Sequence, residues 1–214
     1  LGLSPWSNGS AVGYRLASLV VEIVISFLGC DFSEVLRITE ERDAVFEDIR
    51  LTSNDYELLD LALISALFDI AEACVQMARA LTILDEVEAR TTRPWLETLS
   101  QAQETADLLN DAALKWIIDL LQRVMDDFEQ RGLLFVEFPD PSPTSDRWYK
   151  YLEHRAQGGR ALLWPAHLKA LDRGSLSSHD SMVIRMPTGS GKSFIAEMRI
   201  AATLQGAEDV WVLY

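Results

Sequence analysis

Residues 186–193, Met-Pro-Thr-Gly-Ser-Gly-Lys-Ser, have the residue types and the spacing of a loop that binds phosphate groups. The mostly apolar residues 182–186 are predicted to form a buried strand before the loop, and the pattern from Phe194 to Leu204 predicts a helix after it. A chance Gly-Ser-Gly turn is the alternative, but the strand, loop and helix in this order favour the phosphate loop. The general pattern has Gly where this chain has Met186, so the strict form of the motif is not met.

Each position of this loop has a separate expected role in binding a nucleotide. Gly189, Ser190 and Gly191 are expected to supply backbone N–H donors, because the two glycines lack a Cβ and allow positive φ angles close to an anion. Lys192 is the predicted catalytic residue, since its ammonium group can neutralise the charge of the β- and γ-phosphates. The Ser193 hydroxyl is expected to bind Mg²⁺. The predicted ligands are ATP and Mg²⁺, and the predicted binding residues are Pro187, Thr188, Gly189, Ser190, Gly191, Lys192 and Ser193.

The elements that precede the loop are predicted to be helices over the first two thirds of the chain. Ser10 can cap a helix that runs to about Phe27, and Gly29 then stops it. Asp31 or Ser33 can start a second helix by accepting hydrogen bonds from the backbone of its first turn.

Two long helical patterns follow, and neither contains an internal Gly or Pro. The first pattern, capped by Asn54, covers residues 55–90, and the second runs from Trp95 to Gln130 and ends at Gly132. The short Thr-Thr-Arg-Pro connection between them favours an antiparallel pair of helices. The first two thirds of the chain are therefore expected to form a helical domain.

The best predicted domain boundary follows these helices. Residues 133–136 are predicted to form a short strand, and the three prolines within 139–143 cannot continue a helix or a central strand. Beyond the boundary, helices are predicted over 146–155 and from Pro165 onward, with Gly158-Gly159 between them.

The distribution of charge changes at the same boundary. Residues 1–143 hold 10 Lys and Arg against 26 Asp and Glu, a net charge of −16, whereas residues 144–214 hold 9 against 7, a net charge of +2. An acidic surface repels a phosphate backbone, so we expect nucleic acid to bind outside residues 1–143. The acidic segment is better suited to a protein partner or to scaffolding.

The aromatic residues after the boundary allow two interpretations. Trp148, Tyr149 and Tyr151, beside Arg147 and Lys150, have the side chains that stack nucleic-acid bases. Such a cluster also packs a connector helix against its domain, and this second interpretation is favoured.

The sequence contains no pattern of a secreted or membrane protein. Residues 11–30 are largely apolar, but Arg15 and Glu22 within them favour a buried helix of a water-soluble domain over a membrane span. Cys30 and Cys74 have no metal or redox spacing and are expected to be two buried thiols. We therefore expect no membrane partner and a cytoplasmic location.

Residues 186–193 resemble motif I of superfamily 2 (DExD/H-box) helicases, in which Pro-Thr-Gly-Ser/Ala-Gly-Lys-Thr/Ser is typical. The helix from Phe194 to Ile200, with Ala-Glu at its centre, is similar to the Ski2-like branch, and Val210 to Tyr214 is similar to the strand that leads into motif Ia. Residues 163–171, Leu-Trp-Pro-Ala-His-Leu-Lys-Ala-Leu, resemble the segment that carries an adenine-contacting Gln, and His167 stands at the position of that Gln. An ordinary polar residue on a helix surface is the alternative interpretation of His167.

This resemblance covers about the last quarter of the chain and implies an ATP-driven motor that moves on DNA or RNA. The resemblance implies that an α/β RecA-like domain begins within 181–214. Together with the helical, proline and charge patterns, this predicts a mainly α fold with an acidic helical accessory domain over 1–143 and a connector over 144–180. The carboxylate motif and the arginine finger of such enzymes are expected after Tyr214, so the chain alone is not expected to hydrolyse ATP.

Several functional classes stay open at this point. A helical domain before a Ski2-like motor suits a bacterial anti-phage defence helicase. A P-loop NTPase switch with a helical effector domain is the main alternative, although the Pro-Thr-Gly-Ser-Gly-Lys-Ser wording argues against it. A purely structural helical adaptor fits residues 1–143 but leaves the phosphate loop unexplained.

Overall fold

The structure is a computed structural model that describes residues 11–51, 56–138, 146–176, 183–185, 189 and 191–204. These residues are mainly helical and contain no strand, so the mainly α part of the predicted fold is confirmed. The helices are α1 (Ala11–Leu28), α2 (Phe32–Leu51), α3 (Leu58–Thr82), α4 (Val87–Thr92), α5 (Pro94–Leu109), α6 (Ala112–Arg131), α7 (Asp146–Arg155), α8 (Pro165–Asp172) and α9 (Lys192–Leu204), with a π-helical turn at Ala156–Arg160.

The chain divides into two compact units. The first unit consists of Leu1–Ala80 and Asp85–Asp126, and the second consists of Leu81–Leu84 and Asp127–Tyr214. The boundary predicted at 139–143 lies outside the described residues, so the three-part division based on charge and prolines stays a prediction.

In the first unit, α1 and α2 pack as an antiparallel pair. The edge of the Phe27 ring meets Phe32 at 5.8 Å between ring centroids. The connection turns at Cys30, whose φ of 60° is left-handed. Asp31 then caps α2 by accepting the N–H of Glu34 at 3.2 Å, as the sequence predicts.

The helix α3 is buried on several faces. Its fully buried residues include Ala66, Ala73, Val75 and Met77, which agrees with an apolar pattern wider than one helical stripe. The prediction of two buried thiols is right for Cys74 and wrong for Cys30, which is exposed in the turn after α1. A turn residue has no helix packed over it, and this explains the exposure.

The continuous helix predicted over 55–90 is wrong, because α3 ends at Thr82 and α4 begins at Val87. Two polar side chains take over backbone groups at the break. The Leu84 N–H donates to a carboxylate oxygen of Glu153 at 2.9 Å. The Arg90 guanidinium donates to the carbonyl of Ala80 at 3.1 Å. These bonds satisfy backbone groups that a longer helix would pair internally.

The single helix predicted from Trp95 to Gln130 is also interrupted. Asn110 adopts a left-handed conformation with φ 50° and ends α5. Asp111 starts α6, since its carboxylate accepts the N–H groups of Ala113 at 2.8 Å and Leu114 at 3.1 Å. Asn tolerates positive φ and Asp is a strong N-cap, so these two residues break the helix without Gly or Pro.

In the second unit, the short strand predicted at 133–136 is wrong, because residues 133–135 form a turn. The neighbouring backbone instead pairs with the segment before α8. Leu133 N–H donates to the Ala161 carbonyl and Leu163 N–H donates to the Arg131 carbonyl, each at 2.7 Å. This pairing fixes the start of the segment that leads into α8. The helices predicted over 146–155, from Pro165 and over 194–204 are confirmed as α7, α8 and α9.

The residues of the predicted first strand that the structure describes, 183–185, have no regular secondary structure, and Val183 is 96% exposed. A parallel strand needs neighbouring strands to satisfy its backbone, and the described part of the chain supplies none. The second predicted strand, 210–214, lies outside the described residues. Among the described helices, none combines the length and apolar character that crossing a membrane requires.

Candidate functional site

The start of α8 determines the position of His167. Trp164 is extended, with ψ 152°, and Pro165 occupies the first turn of the helix, where its fixed φ suits the helix and no N–H is needed. His167 comes three residues after Trp164, and its Nδ1 accepts the Trp164 N–H at 3.3 Å. The imidazole is 4% exposed, so the interpretation of His167 as a surface residue is wrong.

The π-helical turn after α7 brings Gly159 and Arg160 next to α8. Gly159 has φ 81°, a backbone conformation that residues other than Gly rarely adopt. Ala156 anchors the start of the turn in the core, while Arg160 at its end is exposed. Gly158 and Gly159 depart from helical geometry, so the chain kinks at this turn.

The described part of the phosphate loop has the backbone that the sequence predicts. Gly189 has φ 80° and Gly191 has φ 77°, both in the left-handed region. The helix α9 begins directly at Lys192, and the Phe194 N–H donates to the Gly191 carbonyl at 2.9 Å. Phe194 and Ile195 are buried, so the helix is anchored by apolar contacts while Lys192 and Ser193 are exposed.

These elements of the second unit enclose a cleft of about 440 Å³. The phosphate loop and the start of α9 contribute Gly189, Gly191, Lys192, Ser193 and Phe194, and the segment that leads into α8 contributes Gly159, Arg160, Leu162, Trp164 and His167. Arg160 and Lys192 therefore bring two cationic side chains to the cleft, and none of the lining residues that the structure describes carries a carboxylate. Such a cleft attracts an anionic ligand of moderate size.

A single carboxylate holds the arginines beside the cleft. Arg155 donates to Glu197 of α9, and Arg160 donates to the same carboxylate oxygen at 3.2 Å. Both guanidiniums also lie over the Phe194 ring, at 5.9 Å for Arg155 and 5.4 Å for Arg160. Glu197 thus ties the π-helical turn to α9 and orients Arg160 at the edge of the cleft.

The structure brings together five of the predicted binding residues: Gly189, Gly191, Lys192, Ser193 and His167. Pro187, Thr188 and Ser190 lie outside the described residues. The sequence predictions missed Arg160 and Trp164, which line the same cleft, Trp164 being 62% exposed. The Gly-Gly-Arg order at 158–160 was a usable signal, because it combines a helix break with an anion-binding side chain.

The aromatic cluster of α7 is structural in part. Trp148 is fully buried, stacks on Tyr151 at 5.6 Å and meets the ring of Phe138 at 5.3 Å. Burial also raises the pKa of the Tyr151 hydroxyl. The packing interpretation of Trp148 is confirmed, whereas Arg147 and Lys150 on the same helix are exposed.

Within the residues that the structure describes, no three His, Cys, Asp or Glu side chains are grouped so as to hold a metal ion. Comparison of the chain with protein-family models, with curated proteins and with solved structures gave no match. The function is therefore argued from the motif and from the geometry of the cleft.

Proposed function

We propose that this chain binds ATP with Mg²⁺ in the cleft of the second unit, as part of a superfamily 2 helicase or translocase that moves on nucleic acid. The observation that carries the ATP site is the meeting of the glycine-rich loop and Lys192 with Arg160 and Trp164 around one cleft. The proposal of a helicase depends on the resemblance of residues 186–193 to motif I.

The loop offers the groups that a triphosphate needs. Left-handed backbone at Gly189 and Gly191 suits a loop that would bind phosphate through its N–H groups, and the N-terminus of α9 adds a positive dipole. Lys192 would pair with the β- and γ-phosphates, and the exposed Ser193 hydroxyl would ligate Mg²⁺ together with phosphate oxygens. The metal supplies charge neutralisation on the phosphates when it is bound.

The opposite side of the cleft suits the sugar and the base. A volume of about 440 Å³ lies within the range of small-molecule sites. The exposed Trp164 offers an aromatic face and Arg160 a planar cation, and both stack on purines.

Calorimetric titration of the 214-residue chain with ATP and Mg²⁺ tests this proposal. Lys192→Ala should weaken ATP binding at least about tenfold, since a charge-assisted contact to phosphate is worth about 1.5–3 kcal/mol. Lys169→Ala is the matched control, because Lys169 is an exposed lysine of α8 that does not line the cleft. Equal ATP affinity in Lys192→Ala and the parent chain would contradict the phosphate site. Strong preference for GTP over ATP would favour the NTPase switch instead.

The proposal of a nucleic-acid motor requires binding sites outside the acidic helices. Arg147 and Lys150 are exposed on α7, after the predicted boundary at 143, and can contact phosphates. Oligonucleotide binding, measured by fluorescence anisotropy at several salt concentrations, should weaken when both are changed to Ala. Control changes at Arg37 and Arg50 of the acidic segment should leave binding unchanged. Binding that depends on Arg37 and Arg50 would show that nucleic acid binds to the acidic segment, and it would contradict the proposal.

A further inference from the structure

We infer that His167 is a positioning residue that holds the phosphate loop at Gly191, and not a residue that reads the adenine base. The inference rests on the proposed function, because it concerns how the same cleft binds a nucleotide. It differs from the sequence-based expectation of a base contact, which stays a prediction until the experiment below separates the two.

Contacts with Trp164, Phe194 and Gly191 fix the orientation of the His167 ring. Its Nδ1 accepts the Trp164 N–H at 3.3 Å, which ties the ring to the start of its own helix. The ring lies tilted against the Phe194 ring, at 5.4 Å between centroids, which ties it to α9. The ring is 4% exposed and has little room to turn. A neutral imidazole that accepts at Nδ1 carries its proton on Nε2.

The His167 ring also packs against the phosphate loop at Gly191, with Nε2 nearest to the loop. A Cβ placed on Gly191 would lie 2.3 Å from Nε2 and 2.8 Å from Cε1 of His167, far inside normal contact distance. The ring therefore packs directly on the backbone of Gly191. A Cβ placed on Gly189, which has nearly the same φ, would meet no atom within 4 Å. The two loop glycines thus have the same conformational need and different surroundings.

This geometry predicts which part of the nucleotide depends on His167. A residue that reads adenine must present a donor and an acceptor to the base edge at once. In His167, Nδ1 is used by the helix start and Nε2 faces the loop that carries the phosphate donors. Loss of the ring should therefore loosen the loop and lower the affinity for every ligand that carries a triphosphate, with or without a base.

The first experiment compares ATP, GTP and inorganic tripolyphosphate, each with Mg²⁺, binding to the 214-residue chain. His167→Ala should weaken all three by about the same factor, roughly tenfold, and should leave the ratio of ATP to GTP affinity unchanged. Weaker binding of ATP with unchanged binding of tripolyphosphate would overturn the inference, because it would show a contact to the base. A parent chain that binds none of the three would overturn the proposed function and the inference with it.

A second variant separates loop positioning from the helix cap. In His167→Gln, the amide oxygen can still accept the Trp164 N–H, as Gln does at the third position of a capping box. Thermal unfolding should then match the parent chain, while tripolyphosphate affinity should still fall. If His167 reads the base, His167→Gln should instead sharpen the preference for ATP over GTP, by about fivefold. That sharpening would overturn the inference.

The closing experiment is a double-mutant cycle with an internal control. Gly191→Ala should strongly reduce tripolyphosphate affinity, and adding His167→Ala should recover about tenfold of it by removing the clash. Gly189→Ala imposes the same strain from positive φ without the contact, so its effect should add to that of His167→Ala. Additive effects at Gly191, equal to those at Gly189, would overturn the inference. Circular dichroism of every variant identifies loss of binding that comes from unfolding.

Discussion

Arg42 of α2 and Arg160 of the π-helical turn carry the same charge in opposite surroundings. Arg42 is 2% exposed, donates to Glu72 at 2.7 Å and to Asp43 at 2.6 Å, and lies 4.6 Å from the centre of the Phe68 ring. The side chain of Arg160 is 47% exposed, shares Glu197 with Arg155, and borders the cleft. The first arginine is enclosed by the fold, and the second borders the proposed ATP site.

The degree of burial distinguishes charges that stabilise the fold from charges that can bind a ligand. A buried cation needs partners because desolvation of an unpaired charge costs several kcal/mol. The partners of Arg42 are held in turn, since Gln76 donates to Glu72 at 3.2 Å. An exposed cation at a cleft has no such requirement and retains its capacity to bind an anion. Changes in the first region should therefore affect stability, and changes in the second should affect binding.

The largest expected effect is on the first side of this comparison. Arg42→Ala should lower the free energy of unfolding by about 3 kcal/mol, because it leaves Glu72 partly buried without its cation. Urea denaturation measures this loss, and ATP affinity should not change. Arg50→Ala is the control, since Arg50 pairs with Glu47 on an exposed surface and should cost below about 0.5 kcal/mol. Equal losses of unfolding free energy in Arg42→Ala and Arg50→Ala would contradict a structural role of Arg42.

The opposite result is expected on the second side. Arg160→Ala should weaken ATP binding about tenfold, or about 1.4 kcal/mol, and should change the free energy of unfolding by less than about 0.5 kcal/mol. The measurement is calorimetric titration beside urea denaturation. Arg173→Ala, at an exposed arginine after α8, should change neither quantity. A stability loss for Arg160→Ala without a binding loss would make Arg160 structural.

The sequence predicts the loop side of the cleft better than the opposite side. Gly189, Gly191, Lys192 and Ser193 form a contiguous motif, so their proximity follows from the chain itself. Arg160 lies about thirty residues earlier, and it reaches the cleft only because the π-helical turn and the Glu197 carboxylate bring it there. Local residue types do not predict a tertiary position such as that of Arg160.

The helix boundaries show the same limit. The ends of α7 and the start of α8 follow from Gly158-Gly159 and Pro165, which act through backbone conformation alone. The break after Thr82 depends on Glu153, which is distant in sequence and accepts the Leu84 N–H, so no local pattern predicts it. The break at Asn110 and Asp111 is intermediate, because its cause is local but needs neither Gly nor Pro.

A smaller effect is expected at that break. Asp111→Ala should lower the free energy of unfolding by about 1 kcal/mol, since α6 loses the cap that accepts two backbone N–H groups. Asp111→Asn should retain most of this stability, because Asn is also a good N-cap. ATP affinity should be the same in all three chains. An unchanged ATP affinity would show that Asp111, an acidic side chain of the first unit, stabilises the fold and takes no part in binding. A loss of ATP binding in Asp111→Ala would contradict this role.

The smallest effect concerns a carboxyl beside the Arg42 cluster. Burial, with a minor contribution from the nearby Glu72 charge, raises the pKa of Asp69 from 3.8 to about 6. The folded chain thus binds this proton more tightly than the unfolded chain, so the carboxyl stabilises the fold below pH 4 and loses that contribution as the pH rises through 6. Asp69→Asn should therefore stabilise the chain at pH 7.5, by about half to 1 kcal/mol after allowance for solvent screening.

The pH dependence distinguishes this cause from simple packing. At pH 4 or below, Asp69 is protonated in the folded chain, and the advantage of Asn should disappear. Urea denaturation of both chains at pH 4 and 7.5 measures the difference, with Asp119→Asn on the exposed face of α6 as the control. A gain of equal size at both pH values would mean that the amide packs better than the acid, and that the charge of Asp69 does not oppose folding. A gain confined to pH 7.5 would show that the charge of Asp69, like that of Arg42, affects stability because the fold encloses it. The exposed cations of the cleft differ in this respect.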